Sequence, residues 1–421
     1  MELSVDPEPL TVDVVPTVRL TGATPGTTAT LTINTVDAAG HSWRSTGDYS
    51  VDDDGVIGAD DPERPWWSMK FVDEDAAPVA FTAPDDALPF QLGVEIAGLD
   101  GKLDVARRWS IDVDSREHRG DGWLLRVYRP RSVGGPQPAV FIVPGSTGLS
   151  AMAPTAALLA THGYVAGVLA YMQEPGLPSS FERIPLESVT AAMMSFAALD
   201  EVDAERVVVH ASSVGTSVAL SALTPGEAPK PSGIVLVAPT HVVWQALPEG
   251  GRPPPMSSLT RGGKDLPYVP IKGERLLGQV AANAVRSRVS RHPTSHALKM
   301  GPAFDAGLKD GVAAAAAAIP VERIEAPILA LAGGADAMWP SARMAKALRD
   351  RRRAHGAGTD DRVIVVAKAG HFLRPPLIPT TVDRNDSLVS GGTPAGNAAG
   401  ARTAWDATLA FLADRLGQAT R

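Results

Sequence analysis

The 421-residue chain contains no cysteine, which excludes a disulfide-stapled scaffold, a zinc site built on thiolates and a cysteine nucleophile. Basic residues form no block longer than the RDRRR stretch around Arg351, and the net charge is −8. The clustered basic face that nucleic acids require is therefore missing. The longest apolar run, GVAAAAAAIP at 311–320, is well short of the roughly 18 residues that span a membrane. We expect neither a nucleic-acid partner nor a membrane span.

The sequence starts with MELSVDPEPL, which is acidic and lacks the apolar centre of a secretory signal. Apolar residues make up 44% of the chain and charged residues 20%, as is typical of a globular protein. We therefore expect a cytoplasmic protein. Nothing in the sequence indicates its oligomeric state.

Two domains are expected from the length and from a change in the hydrophobic pattern. Between about residues 10 and 115, apolar and polar residues alternate in ATLTINTV, FQLGVEI and WSIDV, and turn motifs such as TPGT and LDGK separate these runs. Short alternating strands without helices between them are typical of a β-sandwich. We predict such a domain over 1–118.

Continuous apolar runs replace the alternation further along the chain. AVFIVP, VAGVLAY, RVVVHA, GIVLVAP, PILALAG and RVIVVA are separated by segments with helical character. This order predicts a doubly wound α/β sheet whose strands are buried on both faces. We assign it to a second domain over 119–421. An insertion at about 245–320 interrupts the pattern, and it is either a lid over the strand ends or a surface excursion.

The stretch RVVVHASSVGTSVAL places Ser213 between a predicted strand and a predicted helix. Ala211 and Gly215 stand two residues before and after it, where a nucleophile on a sharp strand-to-helix turn needs small neighbours. This A-x-S-x-G pattern indicates an α/β-hydrolase nucleophile. A serine that only caps the helix is the alternative.

Two further candidates follow in the order nucleophile, acid, histidine that this fold uses. Asp336 comes just after the run PILALAG, and His371 follows the run RVIVVA. Because the carboxyl ends of parallel strands lie at one edge of the sheet, the three side chains can converge. His371 would accept the proton of Ser213, and Asp336 would orient the imidazole. A capping aspartate and an unremarkable loop histidine are the alternatives.

An acyl-transfer site also needs two backbone N–H groups that bind the oxyanion. Val214, directly after the predicted nucleophile, is the first candidate. The loop GSTGLS after AVFIVP would supply the second from Gly145 or Ser146. A plain glycine-containing turn between a strand and a helix is the alternative.

Other polar residues give weaker signals. His292 and His296 have metal-ligand spacing, but Pro293 interrupts the helix and no acidic partner is near. His210 is expected to pack inside the sheet. We therefore predict no metal and no cofactor. Cations in the insertion could meet the phosphates of a ligand or could be ordinary surface charges; they are Arg261, Lys264, Lys272 and Arg275.

The order of motifs resembles the acyl-CoA thioesterase and bile acid-CoA:amino acid N-acyltransferase family. The resemblance covers nearly the whole chain and rests on VRLTGATPGTTATLTINTVDAAGHSW, FIVPGSTGLS, GYVAGVLAYMQEPGLP, PILALAGGADAMW and AGHFLRPPLIPT. It implies an N-terminal β-sandwich joined to a C-terminal α/β-hydrolase domain. Matched by position, it places the nucleophile at Ser213, the acid at Asp336 and the base at His371.

The chain departs from the family pattern around the nucleophile. The family usually has glycine where Ala211 and Thr216 stand. The acid loop of this chain reads GADAMW and lacks the second carboxylate that the family often has beside the first. Within the family, a serine nucleophile accompanies hydrolysis and a cysteine accompanies transfer to an amino acid. The resemblance thus implies a serine thioesterase acting on acyl-CoA or on a carrier-bound acyl chain. An N-acyltransferase, a carboxylesterase and a non-catalytic binding protein are the alternatives.

Overall fold

The structure is a computed structural model that describes residues 2–73, 75–96, 98–224, 226–248, 253–290 and 293–417. Its N-terminal part consists of short strands and one helical turn. These elements are β1 (Glu2–Asp6), β2 (Leu10–Thr11), β3 (Thr17–Thr21), β4 (Thr28–Val36), β5 (Ser42–Ser50), α1 (Arg64–Trp67), β6 (Lys70–Phe71), β7 (Ala87–Ile96) and β8 (Leu99–Arg108).

Six of these strands form a sheet in the order β2-β8-β7-β4-β5-β6, and β1 pairs with β3 separately. The alternating residues of β4, such as Leu31 and Ile33, are buried, as their pattern predicts. Val18 and Leu20 of β3 belong to the same hydrophobic core. The predicted sandwich stays a prediction, because in the described residues the second sheet is the two-stranded pair of β1 and β3.

The C-terminal part alternates strands and helices. Its strands are β9 (Val113–Gly120), β10 (Trp123–Pro130), β11 (Gln137–Val143), β12 (Val165–Ala170), β13 (Ile184–Pro185), β14 (Val202–Ser212), β15 (Gly233–Val237), β16 (Leu259–Arg261), β17 (Lys264–Asp265), β18 (Ile328–Gly333) and β19 (Arg362–Val366). Its helices are α2 (Ala153–Thr161), α3 (Leu186–Ala197), α4 (Gly215–Leu223), α5 (Leu277–Val289), α6 (Gly301–Leu308), α7 (Gly311–Ala316), α8 (Ser341–Ala354) and α9 (Pro394–Leu416). Short 3₁₀ segments lie at Gly273–Leu276 and Val321–Arg323.

The main sheet has eight strands in the order β19-β18-β15-β14-β11-β12-β10-β9. β9 and β10 are antiparallel to their neighbours. The other six strands of this sheet run parallel to one another; they are β12, β11, β14, β15, β18 and β19. Val207 and Val209 of β14 face a core shared with α3, α4 and α8, whereas Val208 faces a core shared with α2 and α9. Helices thus cover both faces, as predicted, and the sheet has the α/β-hydrolase arrangement.

Two details at the domain junction differ from the sequence pattern. The predicted strand WSIDV does not form: residues 109–112 lie outside any strand, Asp112 adopts a φ of 54°, and Val113 already begins β9. The predicted domain boundary at 118 falls inside β9, which pairs with β10 from Val113 to Gly120. The predicted insertion, 245–320, contains β16, β17 and helices α5 to α7.

A seam joins the N-terminal strands to the segment 372–382, which follows His371. The guanidinium of Arg107 donates to the carbonyl of Leu377 at 2.7 Å and also to the carbonyl of Val12. It lies against the rings of Trp66 and Phe90, and burial lowers the pKa of Arg107 to about 9. The loop that carries His371 is therefore held by both parts of the chain.

Within the described ranges, no helix is both long enough and apolar enough to cross a membrane.

Candidate active site

Ser213 lies on the sharp turn between β14 and α4, at the carboxyl end of the strand. Its φ of 53° is in the left-handed region, which is strained for a residue with a side chain. Its N–H donates to the carbonyl of Val237 at 2.9 Å. A Cβ on Gly215 would lie 2.3 Å from the carbonyl oxygen of Pro144, so only glycine allows α4 to approach β11 this closely.

His371 links Ser213 to Asp336. Its Nε2 lies 3.0 Å from the Ser213 Oγ, and its Nδ1 lies 2.8 Å from the Asp336 Oδ2. His371 is 3% exposed, whereas Ser213 is half-buried and can be reached from solvent. The three predicted residues therefore form one continuous hydrogen-bonded row at the strand ends.

The carboxylate of Asp336 is fixed by donors on both oxygens. Its Oδ1 accepts from the N–H groups of Met338 and Trp339, at 2.9 and 3.2 Å, and its Oδ2 accepts from the Ser341 hydroxyl at 2.7 Å. These donors stabilise the charged carboxylate in a place where little water can reach it. Ser341 is not among the residues predicted from the sequence, because its contact with Asp336 depends on where α8 begins.

Aromatic rings enclose the imidazole of His371. Trp339 and Phe372 lie edge-on to it, with ring centroids 5.7 and 5.4 Å away. Trp339 in turn contacts Trp244 and Phe304, so side chains from beyond β15 and from α6 support the histidine. Sequence reasoning missed these rings, since a single tryptophan next to a candidate acid carries no distinct signal.

The candidate oxyanion donors lie next to Ser213. Within the described ranges, the N–H groups of Val214, Gly145 and Ser146 donate to no protein acceptor. A Cβ on Gly145 would lie 3.0 Å from the Cβ of Ser213, so the loop passes directly beside the serine. The Tyr171 hydroxyl donates to the carbonyl of Pro144 at 2.6 Å and anchors this loop. Unpaired N–H groups at this place can bind a negatively charged oxygen.

Thr216 supports the turn from inside. Its hydroxyl donates to the carbonyl of Ser213 at 2.6 Å and accepts from the N–H of Thr240 at 3.1 Å. Thr216 therefore connects the turn at Ser213 to the loop after β15. This is one of the positions where the sequence departs from the family pattern.

The remaining predicted residues are dispersed. His210 lies inside β14, where burial lowers its pKa to about 4. His296 only accepts, through its carbonyl, from Asn283, and His292 lies outside the described residues. Arg261 donates to the carbonyl of Ser221. In the part of the chain that the structure describes, no group of three or more His, Asp and Glu could hold a metal ion.

The sheet order and the turn at Ser213 define the chain as an α/β-hydrolase-fold protein. Residues 279–418 match the family model described as BAAT / Acyl-CoA thioester hydrolase C terminal. The chain is 25% identical over 378 residues to Acyl-coenzyme A thioesterase 1 of Rattus norvegicus, covering 86% of this chain and 79% of that protein. A shorter match, 30% identical over 104 residues and 24% of each chain, is to Peroxisomal succinyl-coenzyme A thioesterase of Mus musculus.

A putative dienelactone hydrolase from Klebsiella pneumoniae subsp. pneumoniae MGH 78578 is one of the similar solved structures. It has a TM-score of 0.40 and 17% identity, covering 72% of this chain and 98% of that one. The family model and the thioesterase relatives together confirm, at the family level, the resemblance predicted from the sequence. Over residues 279–418 the chain is thus similar to the family of BAAT and acyl-CoA thioester hydrolases.

Proposed function

We propose that the chain is a serine thioesterase, which hydrolyses an acyl thioester through an acyl-Ser213 intermediate. The observation that carries the proposal is the row of hydrogen bonds from Ser213 through His371 to Asp336, beside N–H groups that donate to no protein acceptor. The match of residues 279–418 to the family model and the similarity to acyl-CoA thioesterases support a thioester of coenzyme A as the substrate, and a carrier-bound acyl chain has the same reacting group.

Acylation begins when the Ser213 Oγ attacks the thioester carbonyl and its proton passes to the Nε2 of His371. The carbonyl oxygen becomes negatively charged and is bound by the N–H of Val214 together with that of Gly145 or Ser146. Asp336 stabilises the imidazolium and keeps its Nδ1–H directed towards Oδ2. The C–S bond then breaks, and the thiol leaves with the proton from His371.

Deacylation repeats these steps with water in the place of serine. His371 accepts a proton from the water, the hydroxide attacks the acyl ester, and Ser213 leaves with the proton. The products are the free acid and the thiol. The same intermediate would give an amide if an amine replaced water, which is the acyltransferase alternative, and an oxygen ester could also form it, which is the carboxylesterase alternative.

The experiment that tests this proposal is intact-protein mass spectrometry after mixing with acyl-CoAs, with and without glycine or taurine. We expect free acid and CoA to form at a rate that does not depend on the amine. Ser213→Ala should give neither adduct nor turnover, and Ser212→Ala, one residue away, should keep both. An N-acyl product would favour the acyltransferase, and turnover by Ser213→Ala would refute the proposed nucleophile.

A further inference from the structure

A cleft next to Phe372, the residue after His371, is lined by residues of the segment 372–382, by Phe81 from the connection between β6 and β7 and by Asn397 and Ala401 of α9. Arg374 lies on its wall and keeps an exposed surface, while desolvation by the surrounding protein lowers the pKa of its guanidinium. The hydrolytic mechanism does not use this residue.

The charge of Arg374 is not balanced by an acidic side chain. No carboxylate of the described residues lies within ion-pair distance of it, in contrast to the neighbouring Arg384, which pairs with Asp383 at 2.7 Å. One nitrogen of Arg374 donates to the carbonyl of Phe81 at 3.1 Å. Since a guanidinium has five N–H donors, several remain available for a ligand.

The surroundings favour an anion. Leu377, Ile378 and Val382 line the cleft with apolar side chains, which strengthen an electrostatic contact by excluding water. Asn397 and Ala401 of α9 also line the cleft, and neither brings a negative charge to it. Arginine binds carboxylates and phosphates through paired hydrogen bonds.

Phe372 connects this arginine to the proposed catalytic centre. The guanidinium of Arg374 lies 4.6 Å from the ring of Phe372, and that ring lies 5.4 Å from the ring of His371. An anion bound at Arg374 is therefore separated from the imidazole by one aromatic side chain. A substrate that reaches both must carry its negative group several bonds away from the thioester carbonyl.

We propose that Arg374 binds an oxyanion of the substrate, either a carboxylate at the far end of the acyl chain or a phosphate of coenzyme A. This inference rests on the proposed thioesterase function and names a specificity determinant for it. The reach from His371 favours the terminal carboxylate, because the phosphates lie at the far end of the long pantetheine arm.

The test measures dissociation constants by calorimetry in the Ser213→Ala background, where hydrolysis does not occur. Adipoyl-CoA and hexanoyl-CoA have equal chain lengths and differ by the terminal carboxylate. The corresponding pantetheine thioesters lack the phosphates. A charge-assisted hydrogen bond contributes about 1.5–3 kcal/mol, which corresponds to a change in affinity of roughly 10- to 150-fold.

If Arg374 binds the acyl carboxylate, Arg374→Gln should weaken adipoyl binding at least tenfold relative to hexanoyl binding, with either carrier. If it binds a CoA phosphate, Arg374→Gln should weaken the binding of both CoA thioesters equally and should leave the binding of the hexanoyl-pantetheine thioester unchanged. Arg374→Lys, which keeps the charge but not the paired donors, should lie between wild type and Arg374→Gln. Arg384→Gln is the matched control and should change neither ratio.

Two results would overturn the proposal. Affinities that change less than twofold in Arg374→Gln would show that no substrate anion is bound there. An equal loss for all four thioesters would show that Arg374 only supports the seam through Phe81. Failure of the proposed function would instead be seen as a wild-type protein that releases no thiol from any of these compounds.

Discussion

Replacing Asp336 by asparagine tests how the candidate acid acts, because the two oxygens of Asp336 have different partners. Oδ1 accepts from two backbone N–H groups, whereas Oδ2 faces His371 and Ser341. An asparagine must place its oxygen towards the backbone donors, since its NH₂ group would oppose them. The NH₂ group then points at His371.

This orientation forces the imidazole into the wrong tautomer. The Nδ1 atom must accept from the amide, so the proton moves to Nε2, the atom that lies 3.0 Å from the Ser213 Oγ. His371 can then no longer accept the proton of Ser213. Such a tautomer change costs about 10⁴-fold in a serine protease, or roughly 5 kcal/mol of transition-state stabilisation. We expect a loss of at least ~10³-fold in kcat/KM here.

The assay is the release of free thiol from an acyl-CoA, with the melting temperature as a check on folding. Asp336→Asn should remain folded, because the backbone donors keep their acceptor and the Ser341 hydroxyl can accept from the amide. Ser341→Ala removes only a supporting hydrogen bond, so its kcat/KM should fall no more than about tenfold. An Asp336→Asn variant within tenfold of wild type would refute the tautomer argument.

Two further substitutions test the packing of the sheet and its turn. Gly215→Ala places a Cβ 2.3 Å from the carbonyl oxygen of Pro144 and must separate Ser213 from the Gly145 loop, so kcat/KM should fall about 100-fold; wild-type kinetics would contradict the close approach. His210 has a pKa of about 4 against 6.5 when unfolded, so protonation favours unfolding as the pH falls from 6.5 to 4 and removes up to about 3 kcal/mol of stability. His210→Gln should therefore lose less stability than wild type between pH 7 and pH 4.5 in denaturant titrations, and equal losses would assign the acid sensitivity to another group.

The sequence was most informative where burial is complete. The runs AVFIVP, RVVVHA and PILALAG correspond to β11, β14 and β18, since strands covered on both faces consist mostly of apolar residues. The candidate residues could be placed for the same reason, because the fold puts its loops at the carboxyl ends of these strands. Strand ends are easy to locate when the strands are this apolar.

Exposed strands and residues that act through tertiary contacts could not be predicted from the sequence in this way. β9 carries the sequence VDSREHRG, which is mostly exposed and stabilised by pairing with β10, including the Glu117–Arg126 ion pair at 2.8 Å. An edge strand of this kind has no hydrophobic pattern, so the boundary prediction at 118 cut through it. Ser341 and Phe372 likewise become relevant only through tertiary contacts, and no spacing rule identifies them.

The seam around Arg107 also bears on how the two parts of the chain can evolve. The loop that follows His371 gives the carbonyl of Leu377 to Arg107, and the hydroxyl of Thr381 donates to the carbonyl of Met69 at 2.5 Å. The N-terminal strands and the segment 372–382 therefore each supply one side of the contacts that hold the loop after His371. A recombination event that exchanged the N-terminal strands alone would separate the two sides, so the strands and the segment 372–382 should be inherited as one unit.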